Sequence, residues 1–561
     1  MDRRHLVIRL SQILFVATLT SSAAAVTAPP GFIVEPAFPG ASFSRPVQIV
    51  FLPDGRTLVA EEWGRVWVVT AEGVKLPTPF IDLLAKVSPY WERGLLGAAI
   101  DPDFVTNRWV YLAYTVDPDS NGVDTEDEAF SRVERYRASL ADPNVADLTS
   151  RQILVGHTWP TGIPSPERFH AMGSLRFGAD KTLLVASGEG AHPDSIDAGG
   201  RDPDEFLPGR ADPAEDIGSF RARTLNSLCG KILRLDKETG GGLPSNPYWD
   251  GNAVSDRSRV WMYGFRNAYR FCVRPGTGSA DPAQGQPGVL FVGDVGGALY
   301  EELIVAQQGG GNYGWPCEEG PLAHPSYAFV QQTFFPNPNV LCSAAPSSEN
   351  PAANAIPQLW FHHVNANASN PAGWIGQCII GGVFYMGGSY PAAYAGRYFV
   401  GDYDFDWVMS VEVNGNNEIV TTESFLTGAD GPVDIESDPA SGDLYYIAMD
   451  TEEVRRIRYA PQLAADAPPA PVAALECAPN PFSTTTRLEF VLPDDGPVTL
   501  GVYTAAGRCV RTISSGARTA GRHVLVWDGT NDAGGRLPSG TYYARLETGA
   551  GVVSSPVRLI R

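Results

Sequence analysis

Residues 53–69 read PDGRTLVAEEWGRVWVV. A Pro-Asp-Gly turn opens the stretch, a run of β-branched and apolar residues follows, and a Gly-containing turn separates it from a second such run. That pattern is strand, turn, strand. The same form returns at residues 101–115 (DPDFVTNRWVYLAYT), at 178–190 (GADKTLLVASGEG) and, less cleanly, at 273–296, which ends LFVGDVG. It recurs at 396–411 (GRYFVGDYDFDWVMSV) and at 438–458 (DPASGDLYYIAMDTEEVRRIR). One such unit cannot bury its own faces. Repeated around a ring it makes a β-propeller, and six imperfect copies predict six blades. Few windows carry apolar residues at helical spacing, so the chain reads as all-β.

Working outward, the texture changes twice. Residues 461–475 form a Pro/Ala linker, stiff and extended. Beyond it, residues 476–561 hold short alternating strands with frequent turns, which predicts a small Ig-like β-sandwich. At the other end, Arg3, Arg4 and Arg9 precede a short apolar run and small residues to Ala28. Residues 1–28 therefore read as a secretory signal peptide, leaving 29–460 for the propeller. Export predicts a secreted, periplasmic or cell-surface location. No later run is apolar and long enough for a transmembrane helix.

The 561 residues carry 42 Lys+Arg against 63 Asp+Glu, a formal charge of −21. This acidic balance speaks against nucleic-acid binding and against adsorption to an anionic membrane. Hydrophobic residues make up 43% and charged ones 19%, enough for a sizeable core. None of the seven cysteines forms a CxxC pair, so neither zinc nor thioredoxin-type chemistry is signalled. Cys317 and Cys342 flank a loop rich in Pro, Ser and Asn, and are expected to close it in an oxidising compartment. Cys477 and Cys509 are a further pair open to the same chemistry inside the sandwich.

Several segments resemble the glucose/sorbosone dehydrogenase family, the soluble pyrroloquinoline-quinone (PQQ) sugar dehydrogenases. They are 92–104 (ERGLLGAAIDPDF), 170–190 (HAMGSLRFGADKTLLVASGEG), 229–236 (CGKILRLD) and 260–271 (VWMYGFRNAYRF). Then come 291–303 (FVGDVGGALYEEL), 310–316 (GGNYGWP) and the stretch from Gly381 to Tyr403. The family fold is a six-bladed propeller. The ERGLLG form is also similar to a hedgehog-interacting-protein-like branch. Asn480-Pro481-Phe482, VYTAAGR and Trp527-Asp528-Gly529 resemble the Ig-like domains of flagellar hook-capping proteins and secretion sorting tails. That implies contact with secretion or surface-attachment machinery.

Oxidising a sugar hydroxyl needs a base for its proton, a hydride acceptor and positive charge at the acceptor's carbonyl. The resemblance places His170 at the base position and gives Arg266 and Asn267 the contacts with the quinone. It also implies calcium held by the carbonyls of Gly296 and Gly297, with Glu302 and Tyr313 near a second calcium, an ion that suits oxygen ligands. Read without the family, His170 is a turn histidine, Arg266 a channel ion pair, and the glycines and Glu302 ordinary parts of a turn and a solvated edge.

This chain departs from the family in three places. Met386 and Trp407 stand where the family places basic residues that grip the quinone carboxylates, and Phe169 replaces a polar neighbour of the base. Charge-assisted contacts to the cofactor are lost there unless other loops supply them.

A separate metal candidate comes from spacing alone. Residues 117–128 (DPDSNGVDTEDE) fit an EF-hand loop, with Asp117, Asp119, Asn121 and Glu128 as calcium ligands, although no helices flank it. Gly309–Gly314 fits a dinucleotide motif but leads into Trp315-Pro316 rather than a helix. His362 and His363, adjacent in a strand, point to opposite faces.

The reading that follows is an exported oxidoreductase acting on an aldose or related polyol with PQQ and calcium, passing electrons to an unspecified acceptor. The alternatives are a non-catalytic propeller that binds a glycan or protein, and a calcium-dependent lactone hydrolase.

Overall fold

The computed structural model describes residues 26–118, 120, 129–193, 195–201, 203–330, 337–352, 354–363, 374–461, 475–492, 495–504, 507–548 and 551–561. The chain divides into two compact units, Met1–Ala460 and Pro461–Arg561. Nearly all regular structure is antiparallel sheet. The described α-helices are two single turns, Phe104–Asn107 and Asp256–Arg259.

Among the described residues the first unit contains six sheets of four or five strands. In chain order their first strands are Pro46–Phe51, Leu95–Ile100, Met172–Phe177, Ala268–Val273, Ile379–Phe384 and Pro432–Ser437. Each of these strands touches the next, and the sixth touches the first, so the first strands run round a common centre. Their partners step outward by antiparallel pairing. The sixth sheet is completed by the N-terminal strand Phe32–Pro36, paired to Glu453–Tyr459.

Each sheet is apolar on both faces, so alternate residues of one strand serve two cores. Leu183 and Val185 pack toward the second sheet, while Leu184 and Ala186 pack toward the fourth. A separate core fills each gap between consecutive sheets, and the last joins Val433, Ile447 and Val454 of the sixth sheet to Ile49 and Val59 of the first. The six turn-and-strand repeats read from the sequence each supply the second strand of one sheet: Thr57–Glu61, Trp109–Val116, Leu183–Ser187, Leu290–Asp294, Tyr398–Asp402 and Leu444–Ala448.

At the centre, the buried Arg270 guanidinium ties strands together. It donates to the carbonyls of Val47 (2.7 Å) and Leu96 (2.9 Å) and lies 3.5 Å from the Asp434 carboxylate.

Cys317 and Cys342 are joined, with Cα atoms 5.2 Å apart, in an outer cluster with Ile217, Phe220, Trp315 and Tyr327. Cys477 and Cys509 are not joined. Among its described residues the second unit has a three-stranded and a four-stranded sheet sharing one core around Trp527, Leu488, Phe490, Leu500 and Leu546.

Candidate active site

A cavity of 1150 Å³ opens at one end of the first unit. Residues at the start of every first strand line it: Val47, Leu96, Met172, Tyr269, Ile380 and Val433. It therefore sits over the centre of the ring. His170, Arg266, Asn267, Gly296 and Gly297, separated by up to 127 positions in sequence, all line it.

His170 precedes the third sheet's first strand and holds a left-handed backbone, φ 53°. Gly188 makes room for that turn, since a Cβ there would lie 2.2 Å from the His170 carbonyl oxygen. The His170 N–H donates to the Glu92 carboxylate at 3.0 Å, and ring Nδ1 lies 3.1 Å from Glu189 Oε1. A carboxylate at that nitrogen selects the Nδ1–H tautomer and leaves Nε2 as the basic atom. Glu189 is itself fixed by the Trp315 indole N–H. Its backbone N–H donates to the Arg266 carbonyl at 2.8 Å. Glu189 escaped the sequence reading because it sits in a Gly-Glu-Gly turn. The hairpin pairing Met172 with Ser187 is what returns it to His170.

Arg266 and Asn267 lead into the fourth sheet. Their backbone N–H groups donate to the two oxygens of Asp294, at 3.1 and 2.7 Å. Burial pushes the Asp294 carboxyl up to about 7, the nearby Glu301 adds to this, and the donated N–H groups pull the other way. The Arg266 guanidinium donates to the Gly296 carbonyl at 2.6 Å and packs over Trp315.

The Gly296 carbonyl already faces a fixed cation, and the Gly297 N–H donates to Glu319. The Tyr313 hydroxyl points into the core, 3.8 Å from Met262 Sδ, with its ring stacked on Phe265. Glu302 is better placed. It is buried among Asp294, Glu301 and Glu319, and burial and these like charges raise its pKa well above the carboxylate range. Glu319 accepts four successive backbone N–H groups through Oε1, at 2.7–3.1 Å. Its buried Oε2 makes no hydrogen bond and has His324 Nε2 at 3.7 Å. Among the described residues no three His, Cys, Asp or Glu side chains converge as a ready metal set. In the loop 117–128, the Asp117 carboxylate accepts the Ser120 N–H at 3.0 Å, while Asp119, Asn121 and Glu128 lie outside the described residues.

Neither Met386 nor Trp407 lines the cavity. Met386 is exposed, and Trp407 is buried against Phe361 and Trp374, donating to the Ile375 carbonyl. Positive charge comes instead from Arg45 and Arg168, which the sequence did not signal. Arg45 pairs with Glu62, whose carboxyl burial pushes up to about 7 against the pull of Arg45. Glu92 and Asp404 also line the cavity, so acids and bases are mixed there.

Residues 43–322 match the family model for glucose/sorbosone dehydrogenase, and residues 482–551 that for the FlgD Ig-like domain. HIPL1 protein of Arabidopsis thaliana is 24% identical over 414 residues, covering 65% of this chain and 51% of that protein. Quinoprotein glucose dehydrogenase B of Acinetobacter calcoaceticus is 24% identical over 305 residues, 53% of this chain and 56% of that one. The chain thus spans about half the length of the curated relatives it matches. A crystal structure of glucose dehydrogenase aligns with a TM-score of 0.53 at 22% identity, covering 76% of this chain and 99% of that one, a likeness of fold. Among the described residues no helix is long and apolar enough to cross a membrane.

Proposed function

We propose that this chain, a glucose/sorbosone dehydrogenase family member in its residues 43–322 with a FlgD-type Ig-like domain behind, is an exported oxidoreductase for an aldose or related polyol. Its ring of sheets is read as a six-bladed propeller. PQQ would occupy the central cavity, and the Ig-like domain would serve export or surface attachment. The observation that carries this is one cavity holding a carboxylate-oriented imidazole, His170–Glu189, and a fixed guanidinium, Arg266.

The residues suit a planar, multiply acidic quinone. Arg45, Arg168 and Arg266 line the cavity, and Trp63, Trp91 and Tyr403 offer aromatic faces. When bound, the quinone supplies a hydride acceptor. The protein's own part is to position and to move a proton. His170 Nε2 takes the proton of the sugar hydroxyl, and Glu189 holds the ring and stabilises the imidazolium that results. Arg266 supplies charge where a carbonyl oxygen becomes negative. Calcium belongs with the buried carboxylates around Glu302 and Glu319, whose crowding a hard divalent cation would relieve.

The acids lining the same cavity favour a second reading, a glycan-binding propeller without catalysis, since Glu62, Glu92 and Asp404 offset its cations. Two variants separate the readings. With PQQ and calcium supplied, His170→Ala lowers dye-linked sugar oxidation by about a hundredfold or more while quinone stays bound. Arg266→Ala lowers both. Unchanged turnover in His170→Ala contradicts the catalytic reading.

A further inference from the structure

Behind the central cavity stands one indole that touches both halves of the proposed chemistry. Trp315 is buried and is not among the described residues that line the cavity. It lies in the loop between the third and fourth strands of the fourth sheet, Tyr300–Ala306 and Leu359–His362. From there its ring N–H reaches Glu189, 126 positions away in the chain and just past the third sheet's second strand. Glu189 is a buried carboxylate with two oxygens and two partners. Oε1 lies 3.1 Å from His170 Nδ1, and Oε2 accepts the indole N–H. A buried indole needs an acceptor and a buried carboxylate needs donors, so each holds the other. The indole fixes the oxygen that the imidazole leaves open and keeps the carboxylate from turning away from the base.

The same ring faces the guanidinium. Arg266 Cζ sits 5.4 Å over Trp315, within cation–π reach, while Nη1 donates to the Gly296 carbonyl at 2.6 Å. Gly297 leaves the room for this: a Cβ there would lie 2.9 Å from the Trp315 ring and 3.5 Å from Arg266 Nε. The Trp315 backbone adds a tie of its own. Its N–H donates at 3.0 Å to the carbonyl of Gly264, two residues before Arg266.

Trp315 is itself held in place. His324 and Tyr327 meet its ring edge-on, with centroids 5.6 and 5.5 Å away. Cys317, two residues on, is bonded to Cys342. Glu319, two residues further, gathers the N–H groups of residues 297–300, the loop next to Gly296. One anchored segment thus reaches the base's carboxylate, the guanidinium, and the loop beside the carbonyl that the guanidinium holds.

We infer that Trp315 is the positioning residue shared by the base and the guanidinium. Its N–H acts on His170 through Glu189, and its ring face acts on Arg266. This rests on the proposed redox chemistry for what those two groups do. It adds that two roles carried by separate sheets depend on one side chain outside the cavity, through two contacts that can be separated.

Two variants of the full-length protein separate them. Trp315→Phe keeps a ring beside Arg266 and removes the N–H, whereas Trp315→Leu removes both. With PQQ and calcium supplied, Trp315→Phe should lower kcat about tenfold or more, while quinone affinity, read by absorbance titration, stays within about twofold of wild type. Trp315→Leu should lower kcat as well and also weaken quinone binding about threefold or more. The path through Glu189 has its own check. Glu189→Ala removes the acceptor, so adding Trp315→Phe to it should bring no further loss of turnover, whereas an indole that merely supports the fold would give losses that multiply. Multiplying losses, wild-type turnover in Trp315→Phe, or equal quinone affinity in the Phe and Leu variants overturns the inference. Wild type that binds no PQQ is a different failure: it overturns the redox reading itself, and this assignment with it.

Discussion

The tetrapeptide Phe-Val-Gly-Asp occurs twice, at residues 291–294 and 399–402, and the two copies do the same structural work. Each ends the second strand of its sheet. Each aspartate turns back and accepts the backbone N–H groups of the two residues before that sheet's first strand. Asp294 holds Arg266 and Asn267, and Asp402 holds Gln377 and Cys378 at 3.0 Å each. Burial raises both carboxyls to about 7. All the clamped residues line the cavity. The difference lies in what is presented: a guanidinium and an amide on one side, an amide and a thiol on the other. A repeated local sequence builds a repeated clamp, and the chemistry is decided by the residue the clamp holds.

Breaking each clamp sharpens that contrast. Asp294→Ala and Asp402→Ala each strip the acceptor from buried N–H groups, so both should lose about 1–3 kcal/mol of stability in denaturant titrations. Only Asp294→Ala should also cost turnover, by about a hundredfold, because a displacement near 1 Å at a positioned group is that expensive. Equal losses of turnover in the two variants would mean that the clamps share one role.

The contrast also marks how far the sequence could be read. The turn before each second strand, rich in Gly, Asp and Pro, is local chemistry, and it located one strand in every sheet. The first strands escaped it. MGSLRF (172–177) and IIGGVF (379–384) lack clean alternation because each stands shoulder to shoulder with the first strands beside it at the centre, where a Cβ on Gly173 would lie 2.5 Å from the Ala268 carbonyl. Of the residues that line the cavity, the motifs singled out His170 and Arg266-Asn267. Glu189 was not singled out, because it takes a hairpin to return it to His170, and Arg168 carries no motif of its own; Arg45 was not, because only ring closure brings its loop to the same mouth. Met386 and Trp407 fall outside the cavity because a position in the chain does not say which way a loop or strand turns its side chain.

A smaller effect concerns pH. The folded Asp402 carboxyl keeps its proton up to about 7, while the unfolded chain releases it near the ordinary value of 3.8. Between these values the folded state binds more protons, so stability falls as pH rises from about 4 to about 7 and levels off above. Asp402→Asn should flatten part of that slope in thermal melts. An unchanged slope would place the titration on other groups.

The smallest effect is expected from the other end of the chain. The second unit has its own core, so truncation after Ala460 should leave turnover of the purified protein unchanged while altering export or attachment. A severalfold loss of turnover would show that the Ig-like unit contributes to the site.

The central claim, that this cavity is a quinone site, is tested most directly by titrating PQQ into purified full-length protein with calcium, following quinone absorbance and sugar-dependent dye reduction together. The account predicts saturable binding at one quinone per chain, weakened in Arg266→Ala, with dye reduction emerging in proportion to occupancy. Absence of binding at any calcium concentration, in a protein that still binds sugar, would contradict it and leave the glycan-binding propeller in its place.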